Sequence, residues 1–225
     1  MKMDNYPENI EIVSARKEHT SNIKSTMKDF YSDEPVFKTQ KIDIEKLSND
    51  FFSPRESDYT LVAIDKNNNS VASLAINSIT KPDNVLRQRA FADGNKCYID
   101  LYNALRFWTS IQCEPCLFKM LNVDTMWEIK TLATAKQYRN LGLSTAVAKK
   151  SFEAALLKDD ISVICMDCTN NFSAKIAQNL GMECVVEKHF SEYKDDNGHP
   201  WIKNIPEPPN DTVKVFIFKK KNYIN

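Results

Sequence analysis

Strand-like and helix-like segments alternate along the 225 residues, which predicts a layered α/β or α+β fold. Three observations carry that reading. Residues 59–76 form a hairpin pattern, with an apolar run on each side of the polar turn Asp65-Lys66-Asn67-Asn68-Asn69. Residues 161–168 are an apolar run of strand character, and the segment from Leu143 to Lys158 is long enough for a helix between strands.

Taken in order, Ile10, Ile12 and Val13 predict a short first strand. Arg16 to about Tyr31 has helical composition, and a second helix is expected from Asp43 to Phe51. The hairpin strands are 59–64 and 70–76. Segment 80–92 is polar, contains Pro82 and reads as a connecting loop. A helix is expected over Cys97–Ile111, a strand over Trp127–Thr134, and then a loop leading to the helix at Leu143. After strand 161–168 comes a helix from Phe172 to Leu180, stopped by Gly181 at the position just past the C-cap. Strands at Glu183–Phe190 and Val213–Phe218 close the pattern, separated by the turn signal Asp195-Asp196-Asn197-Gly198 and the rigid Glu207-Pro208-Pro209. No internal repeat interrupts the series, so a single domain over 1–225 is expected.

Composition removes several function classes. Thirty basic residues balance thirty acidic ones, so no bulk field favours nucleic acid or an acidic membrane surface. Lys219-Lys220-Lys221 reads as a solvated terminus. Apolar runs are too short to span a membrane. The first residues hold no apolar stretch of signal-peptide type, so a cytoplasmic protein with reduced thiols is expected. Only four glycines occur, none close to another, which excludes the dinucleotide fingerprint and the P-loop. Cys113-x-x-Cys116 and Cys165-x-x-Cys168 resemble metal-ligand spacing. Residues three apart on a strand face opposite ways, however, so Cys165 and Cys168 are not expected to share an ion. The scattered His19, His189 and His199 add no ligand set, and no metal is expected.

Chemistry concentrates in the strand 127–134, the loop 135–142 and the helix after it. A loop that delivers main-chain amides at a helix N-terminus is suited to an anion. Gly142 permits close approach, Ser144 offers a hydroxyl and Arg139 a fixed charge suited to pyrophosphate. The same residues also serve a plain tight turn into a helix.

Gln137-Tyr138-Arg139-Asn140-Leu141-Gly142-Leu143-Ser144 resembles the acetyl-coenzyme A loop of the GNAT acyltransferases, whose pattern is Gln/Arg-x-x-Gly-x-Gly/Ala. Phe30-Tyr31-Ser32-Asp33-Glu34-Pro35, Phe172-Ser173-Ala174-Lys175 before Gly181, and Phe190 to Gly198 are similar to the arylalkylamine (dopamine-type) N-acetyltransferase branch. The resemblance implies a mixed, largely antiparallel twisted sheet flanked by helices and splayed at the acyl-CoA site. It assigns the pantetheine arm to main-chain groups of Leu132, Ala133 and Thr134, and the pyrophosphate to Arg139, Asn140, Leu141, Gly142, Leu143 and Ser144. Ser144 stands where glycine or alanine is usual.

The implied reaction is attack of a neutral amine on the thioester of acetyl-CoA. An alkylammonium with a pKa near ~10 is about one part in a thousand neutral at pH 7, so a base is needed. The resemblance gives that role to Glu34, with Thr169 and Ser173 as assisting hydroxyls. Phe172 replaces a tyrosine common in the branch, and Ala177 occupies the position where many GNAT enzymes have a thiolate-protonating tyrosine. The implied acceptor is a small arylalkylamine, with Phe30, Tyr31, Phe107 and Trp108 as candidate aromatic neighbours. An aliphatic polyamine, with Asp33, Glu34 and Glu192 as acids, is a second reading. A catalytically silent acyl-CoA-binding module is a third. Acylation of protein lysine is disfavoured because no length is left for recognition domains.

Overall fold

The computed structural model describes residues 6–47, 59–113 and 115–220. It has a seven-stranded, mixed and largely antiparallel sheet flanked by helices. The chain divides into two compact units, each assembled from separate stretches of sequence.

The first unit holds strands β1 (Ile10–Ser14), β2 (Tyr59–Asp65), β3 (Ser70–Thr80) and β4 (Met126–Thr134), in that spatial order. β1 pairs antiparallel with β2, and β2 with β3. The register shifts between Ala63 and Ile64, so that Ala72 is an extra residue on β3. Helix α1 (Thr20–Asp33) places Ile23 and Met27 against Val62, Ile64, Leu74 and Ile76. Helix α6 (Leu143–Leu156) places Leu143 and Val147 against Ala63, Ala72 and Ala75. Large side chains thus face α1 and alanines face α6. This is why the hairpin reads as almost continuously apolar: both of its faces are covered.

The second unit holds β5 (Val163–Cys168), β6 (Glu183–His189) and β7 (Thr212–Lys219), with β7 in the middle and both pairs antiparallel. Its core gathers Val163 and Cys165 from β5, Val213, Val215 and Ile217 from β7, and the aromatic residues Phe107, Phe190, Tyr193 and Trp201. Helices α2 (Pro35–Thr39), α4 (Ile99–Cys113) and α5 (Leu117–Leu121) contribute Val36, Ala104, Ile111 and Leu117 to it. Helix α7 (Asn171–Asn179) packs on β5, β6 and β7 and buries Ala174 and Ala177. Gly181 has φ 76°, as the residue after a helix C-cap requires.

Several expectations are corrected. Segment 80–92 is not a loop: α3 spans Pro82–Gly94. Proline in the first helical turn sacrifices no intrahelical bond and presets φ, so Pro82 starts the helix. Its polar composition follows from exposure, since Ala92 alone is buried. The stretch at Arg16 begins with a 3-10 turn, Lys17–His19, before α1. Of the expected helix 43–51, the described residues show a 3-10 turn at Ile44–Lys46 between extended Asp43 and Leu47, and residues 48–51 lie outside them. The short helices α2 and α5 were not foreseen; too few residues are involved for periodicity to show.

Candidate active site

Glu34 is the residue on which α2 begins. With φ −62° and ψ 129° it is extended, and Pro35 behind it occupies the first helical position. Short polar side chains usually fill an N-cap. Here the longer glutamate folds back, and Oε2 accepts the Phe37 N–H at 3.0 Å. Oε1 accepts the Thr169 hydroxyl at 3.1 Å. Glu34 is only 4% exposed, and its neighbours Val36 and Phe37 are buried. Burial pushes the carboxyl up from 4.5 to about 7, against the opposing pull of the Phe37, Thr169 and Val36 bonds. Desolvation therefore outweighs three favourable hydrogen bonds. Phe37 stacks on Trp108 of α4, with ring centroids 5.3 Å apart, which anchors α2 to its own unit.

Thr169 directly follows β5. Asn170, not Thr169 or Ser173, caps α7: its Oδ1 accepts the Ser173 N–H at 2.9 Å. The Ser173 hydroxyl donates to the Asn170 carbonyl at 3.0 Å, and Asn170 Oδ1 lies 3.2 Å from it. The structure therefore brings Glu34 and Thr169 into contact and holds Ser173 within the cap. Sequence reasoning missed Asn170, although an asparagine three residues before Ser173 is a recognisable cap signal. Cys168, on the other side of Thr169, is buried and its thiol is pushed up to about 12. It stays protonated and is a poor nucleophile at neutral pH.

The first unit carries the other predicted group. Leu132, Ala133 and Thr134 end β4. The Ser73 hydroxyl donates to the Ala133 carbonyl at 2.9 Å and lies 2.8 Å from Thr134 Oγ1, which is in turn 2.7 Å from Ser144 Oγ. A 3-10 turn at Lys136–Tyr138 precedes Arg139. Asn140 and Gly142 are left-handed, with φ 64° and 73°, a region that suits these two residue types. No side chain caps α6, so the amides of Leu143, Ser144 and Thr145 have no intrahelical acceptor. Arg139 donates to Asp33 Oδ2 at 2.8 Å and through Nε to the Thr134 carbonyl at 3.4 Å.

Other candidates have structural partners. Glu192 accepts the His189 N–H at 2.7 Å in a capping box. Phe107 is fully buried against Phe190 and Tyr193. Phe30 and Tyr31 meet edge to face and pack on the α1 side of the first unit. Phe172 is 80% exposed. Among the described residues no cluster of three or more His, Cys, Asp or Glu could hold a metal, and no helix is long and apolar enough to cross a membrane.

The fold is GNAT-like, similar to that of several solved N-acetyltransferases. Arylalkylamine N-acetyltransferase 2 from Aedes aegypti is similar over 94% of this chain and 99% of its own, with a TM-score of 0.76 and 22% identity. The Drosophila melanogaster polyamine N-acetyltransferase, which forms N-acetylagmatine, is similar over 94% of this chain and 100% of its own, with a TM-score of 0.75 and 15% identity. NAA60 of Arabidopsis thaliana, solved with acetyl-CoA, is similar over 93% and 98%, with a TM-score of 0.56 and 11% identity. At these identities the likeness shows the fold. No protein-family model and no curated protein matches the sequence.

Proposed function

We propose that the chain is an acetyl-CoA-dependent N-acyltransferase acting on the primary amine of a small arylalkylamine. The observation that carries this reading is Glu34: a buried carboxyl poised at about 7 and bonded to a hydroxyl, in a chain with this fold. A base of that pKa is about half ionised at neutral pH and still basic enough to take a proton.

The first unit fits a pyrophosphate-bearing carrier. Three amides without an intrahelical acceptor open α6, the left-handed Gly142 leaves the approach free of a side chain, and Arg139 supplies positive charge. Leu132, Ala133 and Thr134 offer main-chain groups to the pantetheine arm, while Arg139, Asn140, Leu141, Gly142, Leu143 and Ser144 hold the phosphates.

In the reaction, Glu34 takes a proton from the ammonium substrate, directly or through water. The neutral nitrogen then attacks the thioester carbonyl. A C–N bond forms, the nitrogen gives up its second proton to water, the C–S bond breaks, and the sulfur leaves as a thiolate. Thr169 steadies the Glu34 carboxylate, and Ser173, three residues beyond the cap residue Asn170, is a second hydroxyl. Phe172 and Ala177 carry no acidic hydrogen, so the proton taken up by the thiolate falls to Ser173 or to water. Asp33 is paired with Arg139 and Glu192 serves a cap, which favours an acceptor with one amine over a polyamine that needs several acids.

The test is thiol release from acetyl-CoA with tryptamine, dopamine, phenylethylamine, putrescine and spermidine. Release with the aryl amines supports the reading, and release with putrescine or spermidine alone would transfer it to polyamines. Coenzyme A binding without release for any amine would leave a silent binding module.

A further inference from the structure

The turn between β2 and β3 is bonded to the loop assigned to coenzyme A. Asp65, the last residue of β2, is 6% exposed. Its Oδ1 accepts Asn9 Nδ2 at 2.7 Å and the Asn67 N–H at 3.0 Å. Its Oδ2 accepts the Tyr138 hydroxyl at 2.8 Å, and that phenol oxygen accepts Asn68 Nδ2 at 3.0 Å. The Asn67, Asn9 and Tyr138 bonds hold the carboxyl below its ordinary value, so it remains an anion at neutral pH.

Tyr138 ends the 3-10 turn and immediately precedes Arg139. Its ring, with Leu132, packs on the alanine-lined cluster beneath α6. On the near side of Tyr138 the chain is well tied, since the Ala135 N–H donates to the Ala72 carbonyl at 3.0 Å. On the far side it passes through left-handed Asn140 and Gly142. Among the described residues no side-chain hydrogen bond holds Asn140 or Leu141. The phenol of Tyr138 is therefore the last side-chain anchor before Arg139 and the open amides.

We infer that Tyr138 is a positioning residue for the acyl carrier: its hydroxyl, fixed on Asp65 and Asn68, sets the start of segment 139–144 so that Arg139 and the α6 amides converge on pyrophosphate. The inference rests on the proposed function of that loop. Ordering the segment before the ligand arrives reduces the entropy lost on binding, so the anchor acts on carrier affinity and leaves the chemical step alone.

Tyr138→Phe keeps the ring and removes the anchor. Asn9→Ala removes a bond from the same carboxylate without touching the loop. Coenzyme A affinity by calorimetry, KM and kcat for acetyl-CoA with the best amine, and Tm are measured for both. Tyr138→Phe is expected to raise Kd and KM by about 5- to 20-fold with kcat changed less than about 2-fold. Asn9→Ala is expected to lower Tm while leaving Kd within about 2-fold. Equal Kd for Tyr138→Phe and wild type, or an equal loss in Asn9→Ala, overturns the positioning role. Failure of the wild-type chain to bind coenzyme A at all overturns the reading of the loop itself, a distinguishable result.

Discussion

The Thr169 hydroxyl donates to Oε1 of Glu34 at 3.1 Å, joining the residue after β5 to the residue that opens α2. The two lie far apart in sequence, and the pair exists because α2 and β5 belong to one compact unit. Burial and hydrogen bonding pull the Glu34 carboxyl in opposite directions, and burial wins.

Activity follows from that balance. The rate is expected to rise with pH through about 7 as Glu34 ionises. Glu34→Gln removes this limb and lowers kcat/KM by about 10²- to 10⁴-fold, the range typical of a lost general base. A pH–rate profile of both proteins checks it, and an unchanged limb in the variant would assign the titration elsewhere.

Stability carries the opposite sign. The folded carboxyl titrates near 7 and the ordinary one at 4.5, so between those values the folded state binds more protons. Stability from the neutral form is fully present below 4.5 and is lost as pH rises through about 7. The whole change is about 3 kcal/mol. Denaturant melts from pH 4 to 8 should show wild type losing stability relative to Glu34→Gln, in which that position never ionises.

Thr169 gives a finer test. Its bond favours the carboxylate, so Thr169→Val is expected to move the activity limb to higher pH, while Thr169→Ser leaves it in place. A limb that stays fixed in the valine variant would show that the hydroxyl does not tune the base.

Much of this was legible in the sequence because it is local. The hairpin, the strand 161–168, the helix after Gly142 and the stop at Gly181 each rest on a few adjacent residues. Glu34 and Thr169 came from motif resemblance, and no periodicity could have paired them. Their desolvation depends on tertiary packing around α2, as in the Phe37–Trp108 stack. The error at 80–92 came from reading Pro82 as a breaker when it sits in the first helical turn, on a helix too exposed to show an apolar stripe. Phe107 looked available for substrate, yet it lies in the core against Phe190. Aromatic spacing alone does not distinguish a pocket from a core.

Asn170 should matter for stability more than for chemistry. Its side chain satisfies an amide that α7 leaves open, so Asn170→Ala is expected to cost about 1 kcal/mol. For a chain of this size that lowers Tm by about 2–4 °C. If Ser173 has only a structural place in the same cap, Ser173→Ala will lower Tm with kcat unchanged. A fall in kcat at unchanged Tm would support the assisting role proposed for it.

Ser144 departs from the acyl-carrier pattern, and its side chain explains how the departure is accommodated. A serine at the second position of α6 could crowd a phosphate. Instead its hydroxyl lies 2.7 Å from Thr134 Oγ1, which lies 2.8 Å from Ser73 Oγ. This row of hydroxyls ties β3, the end of β4 and the start of α6 together, while the Ser144 amide is left without an intrahelical acceptor. Ser144→Ala therefore removes a bond but no phosphate ligand. It is expected to cost about 0.5–1.5 kcal/mol of stability, with coenzyme A affinity within about 2-fold of wild type. Thr134→Val should destabilise similarly, and the double variant should lose less than the sum, because both changes break the same contact. Denaturant melts and calorimetry on the three variants test this directly; a large loss of affinity in Ser144→Ala would make the hydroxyl itself a ligand of the carrier.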